Sequence, residues 1–380
     1  MHISKLPKLS ESIFSTMSAL ANKHNAINLS QGFPNFKTSE KLQQLVTEAM
    51  QKGYNQYAPM RGDLELREVI AHKIFKSYQT KYDATNEITI TAGATEALFN
   101  AITAFVHKDD EVIIFKPAFD SYEPVVRLNG GVPIFIQLNY PNYKVNWEEV
   151  ADKISTKTRM IIINTPLNPT GTLFDKSDML ALQNIIKNTD IIVISDEVYE
   201  HMTYDGLTHQ SACKYPILKE QSFVIASFGK TFHNTGWKMG YAAAPKHLMD
   251  EFVKVHEFNV FSINTPYQKA FAIFIQDENN YNYLNQFYQN KRDLFLKGIE
   301  NSNFSYTPCK GTYFQLLKYN KITEENDVEF AKRLVKEFKI ATIPISVFNT
   351  NQLDEKVLRF CFAKTDETIH KATEILCQIH

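Results

Sequence analysis

Short apolar, β-branched runs alternate with stretches of helical period through the middle of the chain. The runs are EITIT (87–91), EVIIF (111–115), PIFIQL (133–138), MIIIN (160–164), IIVIS (191–195), FVIAS (223–227) and YAAA (241–244). A run such as MIIIN has no polar face, as expected of a strand covered on both sides by helices. Between the runs, ATEALFNAITAFV (94–106) and KSDMLALQNIIKN (176–188) are long enough to serve as crossover helices. The alternation predicts an α/β fold whose large domain is a seven-stranded, mostly parallel sheet sandwiched by helices.

The texture changes near residue 280. A long polar helix pattern around NYLNQFYQNKRDLFLKGIE is followed by TYFQLLKY, the charged helix DVEFAKRLVKEF, and then IATIPIS and VLRFCFA. These read as a smaller α+β domain at 281–380. Residues 1–40, punctuated by QGFP (31–34), read as an N-terminal arm that joins it, which leaves 41–280 as the large domain.

Composition narrows the partners. A chain of 380 residues with 44% hydrophobic content can bury a sizeable core in two subdomains. The formal net charge of -1, without a basic block, gives no electrostatic footprint for nucleic acid or an anionic membrane. Cys213, Cys309, Cys361 and Cys377 form no CxxC pair, and the 11 histidines form no HExxH, so no disulfide frame or metal site is expected. No apolar run approaches membrane-spanning length and MHISKLPKLSESIF lacks a leader pattern, so a cytoplasmic setting is expected.

In open α/β sheets ligands bind beyond the carboxyl ends of the strands. Gly93 follows EITIT, Phe119 follows EVIIF, Asn168 follows MIIIN, Asp196 ends IIVIS, and Ser227 with Lys230 follows FVIAS. Each alone has an ordinary reading: a helix entry, a turn before Pro169, a helix cap, a loop charge. Together they suit one chemistry. A partly desolvated lysine forms a Schiff base with an aldehyde such as pyridoxal 5'-phosphate. That cofactor needs a carboxylate at its ring nitrogen, which Asp196 can supply, and a phosphate cradle. The N–H groups of Ala94 and Thr95 after Gly93, with Ser227 and Lys238, can form the cradle. Phe119 can cover the ring, while Tyr199 and Asn168 can reach its hydroxyl oxygen.

Taken in order, GATEAL (93–98), PAFDSY (117–122), NTPLNPTG (164–171), SDEVYE (195–200), SFGKTFHNTGWKMGY (227–241) and RFCFAK (359–364) resemble the class I/II aminotransferases of pyridoxal-phosphate fold type I. The resemblance spans QGFP to RFCFAK. It implies Lys230 as the Schiff-base lysine and proton shuttle, Asp196 at the ring nitrogen, and Tyr199 and Asn168 at the ring oxygen. It further implies Phe119 stacked on the ring, a phosphate site of Gly93, Ala94, Thr95, Ser227 and Lys238, and Arg359 with Gly32 on the substrate α-carboxylate. Tyr57, in NQYAPM, resembles the tyrosine that reaches the phosphate from the other subunit, which implies a homodimer with a shared active site. Lys238 replaces the arginine commoner at its position.

QGFPNF, NQYAPM, FSINTP, GTYF and IPISVF narrow the resemblance to the branch of kynurenine/glutamine and bacterial methionine aminotransferases. The expected reaction moves the amino group of methionine, with aromatic amino acids also accepted, to a 2-oxo acid, and passes through pyridoxamine phosphate in a ping-pong cycle. Phe14, Phe33, Tyr122, Asn264 and Phe348 are expected by resemblance in the side-chain pocket, where aromatic edges suit a thioether. Arg61 and Arg127 are the candidates for gripping a second carboxylate. The alternatives are a carbon–sulfur β-lyase acting on cystathionine or cysteine conjugates, and a regulatory module that senses the cofactor. The latter needs an N-terminal DNA-binding domain for which the start of QGFP at residue 31 leaves no room. His233 and Asn234 lie inside the lysine motif with no role assigned.

Overall fold

The computed structural model describes residues 4–7 and 11–380. Residues 1–3 and 8–10, part of the expected arm, lie outside the described residues. All seven apolar runs form strands of one sheet: β1 Ile88–Thr91, β2 Glu111–Lys116, β3 Val132–Gln137, β4 Thr158–Asn164, β5 Ile192–Asp196, β6 Ser222–Ser227 and β7 Gly240–Ala243. Their spatial order is β1-β7-β6-β5-β4-β2-β3. Pairing is parallel from β6 through β5, β4 and β2 to β3, whereas β7 runs antiparallel to both β1 and β6. The central strands carry apolar residues on both faces because helices cover both. Ile161 and Ile163 belong to one apolar cluster, Met160 and Ile162 to the other. Burial of such side chains contributes roughly 1.5–3 kcal/mol each.

Strand ends position chemistry because each parallel strand stops at the same edge. Backbone bonds carry β5 to its last residue, where Asn164 pairs with Asp196 across the β4/β5 ladder. Gly93, at φ 76°, caps the helix Ala94–Phe105 just beyond β1, a left-handed backbone that favours glycine. Gly240 permits a second close approach. A Cβ there would meet the Ala226 carbonyl at 2.6 Å and the Ala94 nitrogen at 3.1 Å.

The later part of the chain packs the helix Leu284–Gly298 beside Asp366–Leu376 and builds a three-stranded antiparallel sheet from Phe314–Lys318, Val357–Cys361 and Ile343–Pro344. The N-terminal segment joins this part directly: Ile27–Asn28 pairs parallel with Ile340–Ala341. Among the described residues no helix is long and apolar enough to cross a membrane, and no cluster of histidine, cysteine or carboxylate side chains could hold a metal ion.

Candidate active site

A cavity of about 150 Å³ opens at the carboxyl edge of the sheet. Its walls include Gly93, Ala94, Thr95, Phe119, Asn168, Asp196, Tyr199, Ser227, Lys230 and Lys238. Residues that are far apart in sequence meet here because each follows a different strand. Lys230 rides on the single helical turn Phe228–Thr231 that continues β6. That turn is fixed from behind by Phe228 and Phe232, whose rings pack on Phe271 at 4.8 and 5.5 Å.

The Lys230 Nζ donates to the Gly32 carbonyl at 3.0 Å. Burial, with repulsion from Arg359 and Lys238 added, pulls its ammonium down to about 8, so a neutral amine is accessible near neutrality. Asp196 is almost fully buried, and burial pushes its carboxyl up to about 6. The largest opposing influence is the Tyr122 hydroxyl, which donates to Asp196 Oδ2 at 2.6 Å, followed by the Val198 N–H and the Lys230 ammonium. Tyr199 is buried against Tyr313, ring centroids 5.2 Å apart and edge-on, and burial raises its phenol.

On the opposite wall, the first-turn N–H groups of Ala94 and Thr95 have no acceptor within their helix. The Lys238 ammonium lies 3.6 Å from where a Gly93 Cβ would stand. A helix terminus and a cation facing an open space, beside Ser227, form an anion cradle. These residues fit pyridoxal phosphate: a cradle for its phosphate at one end, a buried carboxylate in the middle, and an amine poised at low pKa. Asn164 braces the floor, accepting from Asn168 N and donating to the Asp196 carbonyl, each at 2.8 Å.

Arg359, in Val357–Cys361, is fully buried. Its Nη1 donates to Asn168 Oδ1 at 2.8 Å and its Nη2 to the Ser30 carbonyl at 2.7 Å, while Nε is buried without a partner. The guanidinium stands 3.9 Å from the Phe314 ring centroid and 5.2 Å from that of Phe14. Phe14 in turn packs on Phe348 at 5.7 Å. An unused N–H in an aromatic box is an opening for a carboxylate ligand.

Two expected pocket residues, Tyr122 and Asn264, are committed to other contacts. Tyr122 does not face the side-chain pocket: it is buried, and its hydroxyl is committed to Asp196. Asn264 is exposed and caps the helix Thr265–Phe274 by accepting from Tyr267 N. Tyr57 is 82% exposed. Phe33 is partly exposed beneath Lys364, whose Nζ lies 5.1 Å from its ring centroid. Gly32 contributes its carbonyl to Lys230 and to the Tyr313 hydroxyl. Tyr313 has no assigned role in the sequence reading, although GTYF is the motif that contains it. A larger cavity, about 310 Å³, is lined by residues 170–176 with Tyr143, Lys144 and Cys309, and contains none of these acid–base groups.

The family model for class I and II aminotransferases matches residues 24–376. Over 377 residues, covering 99% of this chain and 98% of the other, the sequence is 45% identical to the methionine aminotransferase of Escherichia coli. A crystal structure from the same organism, with a methionine aminotransferase function, superposes with a TM-score of 0.97 over 100% of this chain and 99% of that one. The kynurenine–oxoglutarate transaminase of Dictyostelium discoideum is 32% identical over 97% of this chain and 94% of its own length.

Proposed function

Because this chain belongs to the class I and II aminotransferases, we propose that it moves the amino group of methionine, and of aromatic amino acids, to a 2-oxo acid. The observation that carries this reading is one pocket holding a low-pKa lysine, a buried carboxylate and an anion cradle, with a buried arginine reaching Asn168 from the three-stranded sheet. Pyridoxal phosphate, when bound, supplies the carbon that accepts the amino group and the ring that stores the electron pair left when the substrate Cα–H bond breaks.

The chain's residues do the rest. Lys230 Nζ takes the Cα proton and returns it to the other side of the transferred nitrogen, a general base that becomes a general acid. Asp196 holds the ring nitrogen protonated; a cation opposite it restores the ionised carboxylate that burial alone disfavours. Tyr199 and Asn168 bind the ring oxygen and Phe119 covers a ring face. Gly93, Ala94, Thr95, Ser227 and Lys238 hold the phosphate. Arg359 takes the substrate α-carboxylate in its fork, with Gly32 alongside.

The donor preference rests on the wall beyond Arg359. Phe14 and Phe348 offer aromatic, uncharged surface suited to a thioether or a ring. Both candidates for a second carboxylate clamp are engaged elsewhere: Arg61 pairs with Asp250 at 2.9 Å and Arg127 with Glu123 at 2.9 Å. Dicarboxylic donors therefore rank below methionine.

A second copy of the chain completes the site. Tyr57, 82% exposed, meets the exposed Phe261 edge-on at 5.3 Å, and this aromatic pair is surface that a partner covers. That partner supplies Tyr57 to the phosphate. The four cysteines are unpaired and three are buried, which supports a reducing, cytoplasmic setting. A panel of amino donors with a common 2-oxo acid, scored by kcat/KM, tests the assignment. Methionine should lead and aromatic donors follow, with glutamine and kynurenine included. Pyruvate and thiol release from cystathionine, without amino transfer from methionine, would replace the reading by the β-lyase.

A further inference from the structure

His233 is the part of the lysine motif left without a role. It follows Lys230 by three positions and adopts φ 57°, a left-handed backbone uncommon for residues other than glycine, though less so for histidine. Its surroundings are specific. Its ring meets Phe36 edge-on at 4.7 Å, Tyr288 edge-on at 5.7 Å and Phe287 at 5.9 Å. Its carbonyl accepts from Thr38 Oγ1 at 2.7 Å. The ring nitrogen Nε2 is buried without a partner, so the imidazole serves here as an apolar wedge. The nearby cation, Lys291, lies over the Phe36 and Phe287 rings and is paired with Asp366.

Phe36 and Thr38 end a segment whose earlier carbonyls receive cations in turn. Ser30 accepts from Arg359, Gly32 from Lys230 and Phe33 from Lys364. One stretch of backbone therefore touches the arginine, the lysine and, at its far end, the residue just past the lysine turn. The His233 contacts tie the far end of this segment to the chain just past the lysine turn.

We propose that His233 is a positioning residue whose ring locks residues 30–38 to the Lys230 turn, so that the backbone bordering the substrate site and the proton-carrying amine move as one body. The proposal rests on the aminotransferase reading for its effect on turnover, but its mechanical content does not.

The test uses the holoenzyme and three variants. His233→Asn keeps a residue that tolerates positive φ and removes the ring, His233→Phe restores a ring, and Thr38→Val removes the bond to the His233 carbonyl. Amide hydrogen exchange across 30–38 should accelerate about tenfold in His233→Asn and less in Thr38→Val, with the helix Ala94–Phe105 unchanged. KM for the amino donor should rise about tenfold with a smaller change in kcat. His233→Phe should return exchange and KM towards wild type. Unchanged exchange at 30–38, or a Phe variant as loose as Asn, would overturn the proposal. Should the His233 variants fail to fold, Phe36→Leu, which removes the edge-on partner of the imidazole, decides by exchange at 30–38: faster supports the lock, unchanged rejects it. Failure of amino transfer in the wild type would reject the functional reading and leave the exchange result to judge the lock.

Discussion

Tyr122 donates its hydroxyl to Asp196 Oδ2 at 2.6 Å, and this contact opposes the burial that pushes the carboxyl up to about 6. Tyr122→Phe should therefore raise the Asp196 pKa further. The acid limb of the kcat/KM profile should move to higher pH, and kcat/KM near neutrality should fall about tenfold. A pH–rate profile of the two proteins checks this; superimposable acid limbs would show that Tyr122 packs without tuning.

Asp196 is held for chemistry at the expense of the fold. Its folded pKa, about 6, exceeds the ordinary carboxylate value of about 3.9. Between those values the folded protein binds more protons than the unfolded chain, so stability falls as pH rises through the window and the full penalty stands above it. Asp196→Asn should make the cofactor-free protein more stable at pH 7.5, by about 1–2 kcal/mol, while activity drops at least a thousandfold. Denaturant unfolding at pH 7.5 and pH 4 measures it, and the gain should shrink at the lower pH.

Lys230 offers a direct titration. Burial lowers its ammonium to about 8, so the cofactor-free protein should trap pyridoxal phosphate on this lysine under borohydride with a rate that rises through about pH 8. An ordinary lysine would rise near pH 10.4. Peptide mapping of the reduced adduct reads the site, and labelling spread evenly over surface lysines would contradict the assignment.

Arg359 uses two nitrogens on Asn168 and Ser30 and keeps Nε free. A lysine cannot reproduce that fork. Arg359→Lys should raise KM for the amino donor by about a hundredfold and leave cofactor affinity within about threefold, measured by absorbance titration.

The sheet was legible in the sequence because strands buried on both faces are apolar throughout, and MIIIN or IIVIS admits few other readings. The residues lining the cavity were legible for a related reason: parallel strands end at one edge, so Gly93, Asn168, Asp196 and Lys230 converge without knowledge of packing. Tyr122 was misplaced because residue type says nothing about where a phenol finds its acceptor. Tyr313 reaches Gly32 from the bend just before the strand Phe314–Lys318, and only the fold joins the two. His233 was opaque because its aromatic cage depends on a positive φ that no spacing rule discloses.

Isotope transfer reads amino transfer and its dependence on Lys230 in one assay. Purified protein with pyridoxal phosphate, ¹⁵N-methionine and an unlabelled 2-oxo acid should yield the amino acid of that oxo acid carrying ¹⁵N. Lys230→Ala should give none under the same conditions. Label retained on methionine in the wild type, or ¹⁵N released as ammonia, would contradict the account.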